Sequence, residues 1–309
     1  LSRGLGDVYK RQPLYNKADY IAETLKSVLN QTYCDYEVIV VNDSSTDNSL
    51  EVASSFQDER IHIYTKENEG VSAARNYGIM HAKYDYIAFL DADDIWESDY
   101  LECQKKLIEI YPDAGIYSTA FYSLEKGKRK LRNVLINEHT HFLVHDYFKE
   151  SVMNGLSICW TSSLCLKKEV IKEIPMFRVG IKRGEDLDLW LRIALNYDVA
   201  YLNLPKVFYR TGLSDSLTSD YSKNGEFPYY EWFNFTSESS YYRKYVILVV
   251  YIHAKNAFIH HDYDTCLAEL WSVKTIVWRF KWAERLLLLV ISWIKSCLLY
   301  TSPSPRDKR

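Results

Sequence analysis

The chain has 309 residues, 47% of them hydrophobic and 26% charged, which excludes disordered and fibrous classes for most of its length. Thirty-eight basic against 41 acidic residues leave a net charge of −3, so there is no bulk positive field to hold nucleic acid. Six cysteines at 34, 103, 159, 165, 266 and 297 show no CxxC pair, as expected of reduced, buried thiols in a cytoplasmic protein.

The first twelve residues (LSRGLGDVYKRQ) lack an apolar signal-peptide core and, like residues 301–309 (TSPSPRDKR), resemble translated adapter sequence. Both ends are expected to be non-native. A strand is wanted before Pro13, yet Lys10-Arg11-Gln12 makes a physically poor core strand. Ile21, Leu25, Val28 and Leu29 recur at helical spacing after Asn16. Glu37–Val41 (EVIVV) reads as a buried strand ending in the polar turn Asn42-Asp43-Ser44-Ser45. Thr46 is placed to cap a helix carrying Leu50, Ala53 and Phe56; Ile61–Tyr64 is a second strand, and 70–82 a helix opening at a glycine. Tyr86–Leu90 (YIAFL) is a third strand, followed at once by Asp91, and a helix with Leu101, Leu107 and Ile108 leads to a strand at Ala114–Ser118.

Residues 119–160 are less regular, with a basic stretch and then His139, His141 and His145, a metal-like spacing that lacks a fourth ligand. After Glu185-Asp186 a helix presents Leu187, Trp190, Leu191, Ala194 and Leu195 on one face, and Asp188 with Arg192 is expected to form a surface ion pair at i, i+4. Strands follow at Val199–Leu204 and Val207–Tyr209. From about 240 only helices are expected, at 242–260, 266–280 and 282–299. The stretch where Lys281, Arg285 and Lys295 flank Trp278, Trp282 and Trp293 suits either a membrane interface or packing on the main domain. No apolar run approaches the roughly 20 residues that span a bilayer.

Strands alternating with helices imply an α/β fold with a mostly parallel central sheet, whose ligands bind beyond the carboxyl ends of the strands. The Asn42-Asp43 and Asp91-Ala92-Asp93-Asp94 turns both lie there. Crowded carboxylates repel unless a cation joins them, and hard oxygen ligands favour Mn²⁺ or Mg²⁺; the alternative is an acidic helix cap.

Four motifs occur in order: Pro13-x-Tyr15-Asn16, Val41-Asn42-Asp43-Ser44-Ser45-x-Asp47, Asn68-x-Gly70-x-x-x-Ala74-Arg75-Asn76 and Leu90-Asp91-Ala92-Asp93-Asp94. Over about residues 13–210 the chain resembles family 2 glycosyltransferases with the GT-A nucleotide-sugar fold. The resemblance implies a GT-A domain over 13–215, and the change of pattern beyond it gives a C-terminal, mostly helical region over 216–300. It implies a nucleobase pocket lined by Pro13, Tyr15 and Asp43, Arg75 near the ribose or diphosphate, Asp91 on the ribose side, and Asp93 on a divalent cation. Asp94 is expected to assist Asp93 indirectly. An acid on the acceptor side matches Gly184-Glu185-Asp186-Leu187-Asp188, with Asp186 as general base and Glu185 as the alternative. A His expected after Tyr209-Arg210 is missing, since Thr211-Gly212-Leu213-Ser214 follows.

The implied reaction is inverting transfer of a sugar, from a donor expected to be UDP-linked, to a glycan or lipid-linked acceptor at the cytoplasmic face of the plasma membrane. The alternative is a non-catalytic nucleotide-sugar-binding module of the same fold. Asp91 as a phosphatase nucleophile fits poorly, because Asp-x-Asp stands deep in the chain. A dehydrogenase lacks GxGxxG after any expected strand.

Overall fold

The computed structural model describes residues 8–135, 137, 139–155, 157–181, 183–213, 232 and 236–272; the side chains of residues 8–13 and 269–272 are outside that description. Ten strands form one sheet in the order β3-β2-β1-β4-β9-β6-β10-β5, with β7 on β6 and β8 on β10. The strands are β1 (Val8–Leu14), β2 (Tyr36–Asn42), β3 (Ile61–Thr65), β4 (Tyr86–Phe89), β5 (Ile95–Trp96), β6 (Ile116–Glu125), β7 (Lys128–Arg132), β8 (His141–Val144), β9 (Leu164–Lys167) and β10 (Val199–Arg210). Between and after them come α1 (Ala18–Leu29), α2 (Ser49–Ser54), α3 (Val71–His81), α4 (Tyr100–Ile110), α5 (Tyr147–Asn154), α6 (Val170–Glu173), α7 (Glu185–Ala194), α8 (Tyr242–Ile259) and α9 (Tyr263–Ser272).

Strands β3, β2, β1 and β4 run parallel. Beyond β4 the sheet is mixed: β9 is antiparallel to both β4 and β6, whereas β10 is parallel to β6. The period-2 alternation of side chains gives each central strand two apolar faces. Ile39 and Val41 of β2 and Ile87 and Phe89 of β4 join one core, with α3, α5, α7 and α8. Val38, Val40, Tyr86 and Ala88 point into the other, with α1, α2 and α4. Helices cover both faces, which is why these strands read as continuous apolar runs.

The segment with Lys10-Arg11-Gln12 occupies the middle of the parallel sheet. Its backbone pairs with β2 on one side, Pro13 opposite Val41, and with β4 on the other, Val8 opposite Tyr86. The backbone N–H and C=O groups of this segment are satisfied by ladders on both sides.

Several local expectations are corrected. Helix α2 begins at Ser49, whose N–H donates to Asp47 Oδ1 (2.9 Å), while Thr46 bonds Asn16 instead of capping. The two strands expected at 199–209 are one, with register shifts around Pro205, which lacks the N–H a regular ladder needs. The Asp188–Arg192 pair is buried, with Asp188 fully enclosed. Arg192 Nε and Nη2 each lie 2.9 Å from Asp188 Oδ2, and the indole N–H of Trp232 donates to Asp188 Oδ1 (2.9 Å).

Helix α8 belongs to the main core through Tyr242, Tyr245, Val246, Val249 and Val250, so the expected C-terminal region begins by packing on the sheet domain. Trp278, Trp282 and Trp293 lie outside the described residues. Among the described residues no helix is long and apolar enough to cross a membrane. Five cysteines are free thiols, three of them buried; Cys297 lies outside the description.

Candidate active site

Strands β1, β2 and β4 end together, and the polar residues that follow them meet along one edge. After β1, Tyr15 is exposed (46%) and Asn16 adopts a left-handed φ of 51°. The Asn16 side chain holds that turn by accepting from the Thr46 N–H (2.8 Å) and donating to Thr46 Oγ1 (3.1 Å). After β2, the buried Asp43 accepts from Gly70 N–H (2.9 Å), Glu69 N–H (3.2 Å) and Lys66 Nζ (3.1 Å), tying the loop before α3 to the strand end. Pro13 is placed by its backbone alone, beside Val41.

After β4 the chain turns through Asp91-Ala92-Asp93-Asp94, closed by a bond from Asp94 N–H to Asp91 C=O (3.1 Å). The three carboxylates face different surroundings. Asp91 accepts from Arg75 Nη2 at 2.9 Å. Asp93 pairs with Lys17 Nζ at 3.1 Å. Asp94 is fully buried and accepts from Ser162 Oγ (2.5 Å) and Arg210 N–H (3.0 Å). Burial raises the Asp93 pKa above the ordinary carboxylate value; Lys17 opposes the shift and Asp91 adds to it. Burial also pushes Asp94 well up, helped by the charges of Asp93 and Asp91. Asp94 is thus the internal brace of the turn, with Asp91 and Asp93 each paired to a basic side chain.

Helix α7 brings the second acidic pair. Glu185 accepts from Arg75 Nη1 (2.6 Å), so one buried guanidinium joins Glu185 to Asp91. Burial disfavours charge on Arg75, but Asp91, Glu185 and Asp186 outweigh it and raise its pKa. Glu185 itself is pushed up to about 7 by burial and by Asp186, against the pull of Arg75. Half-buried Asp186 is oriented by two donors, Thr161 Oγ1 (2.9 Å) and Leu187 N–H (2.7 Å).

Sequence reasoning missed Lys17, Thr161, Ser162 and the reach of Arg210. Arg210 donates from Nη1 to Asp93 C=O (3.1 Å) and pairs with Glu23. The polar start of α1 was the available signal for Lys17; the contacts of Thr161 and Ser162 depend on a short turn before β9. The three histidines do not converge. His141 Nδ1 meets Tyr111 Oη (3.1 Å), and His145 Nδ1 meets Asp198 Oδ2 (2.7 Å).

The residues fit a hard divalent cation. Such ions bind through one or two carboxylates plus substrate phosphates, and Asp93, beside Asp91, already holds an ammonium as a stand-in. Among the described residues no group of three or more His, Cys, Asp or Glu is placed to hold a metal ion.

The glycosyl transferase family 2 model matches residues 13–174, and the chain belongs to that family. An uncharacterised glycosyltransferase of Rickettsia felis is 35% identical over 187 residues, 59% of this chain. The match spans only 29% of that relative's length. TuaG of Bacillus subtilis, a glycosyltransferase provisionally assigned to teichuronic acid biosynthesis, is 32% identical over 192 residues, 61% of this chain and 72% of TuaG. Residues 1–349 of Staphylococcus aureus TarS, solved with UDP-GlcNAc, superpose with a TM-score of 0.68 at 17% identity, covering 85% of this chain and 79% of that one. The mannosyltransferase PcManGT of Pyrobaculum calidifontis, solved with GDP-Man and Mn²⁺, gives 0.59 at 17% identity over 96% and 88% of the two chains. The fold is GT-A, α/β with a central mixed sheet flanked by helices.

Proposed function

We propose that this chain is an inverting glycosyltransferase that moves a sugar from a nucleotide-sugar donor, UDP-linked, to a hydroxyl of a glycan or lipid-linked acceptor in cell-surface polysaccharide synthesis. One observation carries the reading. Arg75 joins Asp91, on the turn after β4, to Glu185, next to Asp186, so two acidic turns far apart in sequence share one site. A nucleotide-binding module alone has no need of the second turn.

Tyr15 offers an exposed ring for the nucleobase. Asp43 borders the same pocket with Pro13; a carboxylate offers about four acceptor positions, and its three donors leave one for a ring N–H. Arg75 serves the donor through Asp91, which it holds in place for the ribose side. Asp93, with Asp91 close by, would hold Mn²⁺ or Mg²⁺. When bound, that cation offsets charge on the departing diphosphate. Asp186 takes the proton from the acceptor hydroxyl, with Thr161 and the Leu187 N–H fixing its orientation. Attack from the face opposite the leaving group inverts the anomeric centre and needs no covalent intermediate.

The test is transfer from a panel of nucleotide sugars with Mn²⁺, alongside Asp186→Asn. The variant should bind UDP as the wild type does while transfer falls by about 10²–10⁴-fold. Unchanged transfer removes Asp186 from this role, and wild-type donor binding without transfer to any acceptor favours a binding module. The basic, aromatic stretch after residue 272 supports contact with a membrane surface carrying the acceptor. Because α8 is core, the deletion that tests this begins at 273; unchanged co-sedimentation with anionic vesicles would count against it.

A further inference from the structure

Lys17 takes part in no motif that marks the family, yet its ammonium sits 3.1 Å from Asp93 Oδ2, with the two side chains only 13% and 17% exposed. We propose that Lys17 is the resident countercharge of Asp93 and sets the affinity of the site for a divalent cation by competing for that carboxylate. The inference rests on Asp93 being a cation ligand.

The placement of Lys17 is built by its neighbours. Its N–H donates to Ser49 Oγ (2.6 Å), and the next N–H, of Ala18, donates to Asp47 Oδ2 (3.1 Å). Asn16, just before it, is fixed in a left-handed turn by Thr46. Three successive residues are thus clamped to the 45–49 turn, which aims the side chain at the acidic turn after β4. Asp93 is mostly buried and lies beside Asp91, so its charge needs a partner at all times.

An ammonium suits a partner that must leave. It is a compact charge on a flexible four-carbon stem, unlike the forked guanidinium that holds Asp91. Lys17 also lines a hollow of about 340 Å³ with Tyr20, Asp47 and Asn48, which gives the displaced group somewhere to go. The consequence is a site kept neutral while empty, in which a divalent cation binds weakly until a diphosphate brings its own oxygen ligands.

Binding of Mn²⁺ to the full chain without nucleotide, read by the loss of the free-ion electron paramagnetic resonance signal, tests this. Lys17→Gln should bind Mn²⁺ about three- to tenfold more tightly than wild type. Lys17→Arg, which keeps the charge, should bind no more tightly than wild type. Asp93→Asn should lose the site, and melting curves establish that each variant is folded. A folded Lys17→Gln that binds Mn²⁺ no better than wild type overturns the proposal and leaves Asp93 as ligand standing. Undiminished binding to Asp93→Asn overturns both, and absence of binding to Lys17→Gln overturns the proposal as well.

Discussion

Arg75 and Glu185 meet at 2.6 Å inside the protein although 110 positions separate them in the chain. The other arm of Arg75 reaches Asp91 at 2.9 Å. Removing the guanidinium would leave the buried Glu185 and the part-exposed Asp91 without their partner, and breaking a buried pair costs about 3–5 kcal/mol. Arg75→Met should therefore lower the free energy of unfolding in urea by that amount. A change below about 1 kcal/mol would show that the acids are solvated without it.

Glu185 gives the fold a pH dependence of known sign. Its pKa rises from 4.5 in the ordinary state to about 7 in the folded one, with burial as the main cause. Between those values the folded chain holds the extra proton, so this group's contribution to stability falls as pH rises through the window. Arg75, Asp186 and Asp91 face it and stay in place in Glu185→Gln, which cannot titrate there. The melting temperature of the variant, followed from pH 5 to pH 8, should fall less steeply than that of wild type. Parallel profiles would refute the assignment.

Burial, helped by the charges of Asp93 and Asp91, raises the Asp94 pKa well above the ordinary value, so a neutral replacement should be tolerated. Asp94→Asn keeps polar atoms facing Ser162 Oγ and the Arg210 N–H, and should cost under about 1 kcal/mol. Asp94→Ala leaves both groups without a partner, at about 1–3 kcal/mol each. Chemical denaturation distinguishes the two; equal losses would mean that Asp94 acts through its charge.

Asp188→Ala offers a sharp contrast between a surface pair and a buried one. An exposed i, i+4 pair contributes about 0.3–0.5 kcal/mol, whereas removing this enclosed acid takes the charged partner from Arg192, leaving it only the Pro175 and Met176 carbonyls, and the acceptor from Trp232 Nε1, and should cost about 3–5 kcal/mol in equilibrium unfolding. A loss within the smaller range would show that water replaces the carboxylate.

Gly115 tests packing against the loop between α7 and β10. A Cβ there would lie 2.6 Å from Tyr197 Cβ and 2.8 Å from Tyr197 Cγ, so Gly115→Ala should cost about 1–3 kcal/mol. An unchanged melting temperature would mean that the loop bearing Tyr197 yields freely.

The parallel half of the sheet is legible in the sequence because EVIVV and YIAFL are apolar on both faces, and each ends in a polar turn whose acids then fall on the ligand edge. Helix α7 was visible from its periodicity, but it is buried more widely than one face: Leu189 and Ile193 are as enclosed as Trp190. The burial of Asp188 was hidden because its partner Trp232 lies far along the chain and outside any pattern. Lys17 escaped notice for the same reason, since its partner Asp93 belongs to another motif. The antiparallel insertion of β9 between β4 and β6 draws on residues too irregular in sequence to announce a strand order.

Strand β1 is translated before either neighbour, yet it lies between them, and its pairing of Val8 with Tyr86 waits for β4. During synthesis the middle of the parallel ladder must therefore stay open while a long loop closes around it, a slow step for any chain rich in distant contacts. Until β4 is made, β1 has a partner only in β2 and its other edge stays unpaired, open to association with another chain.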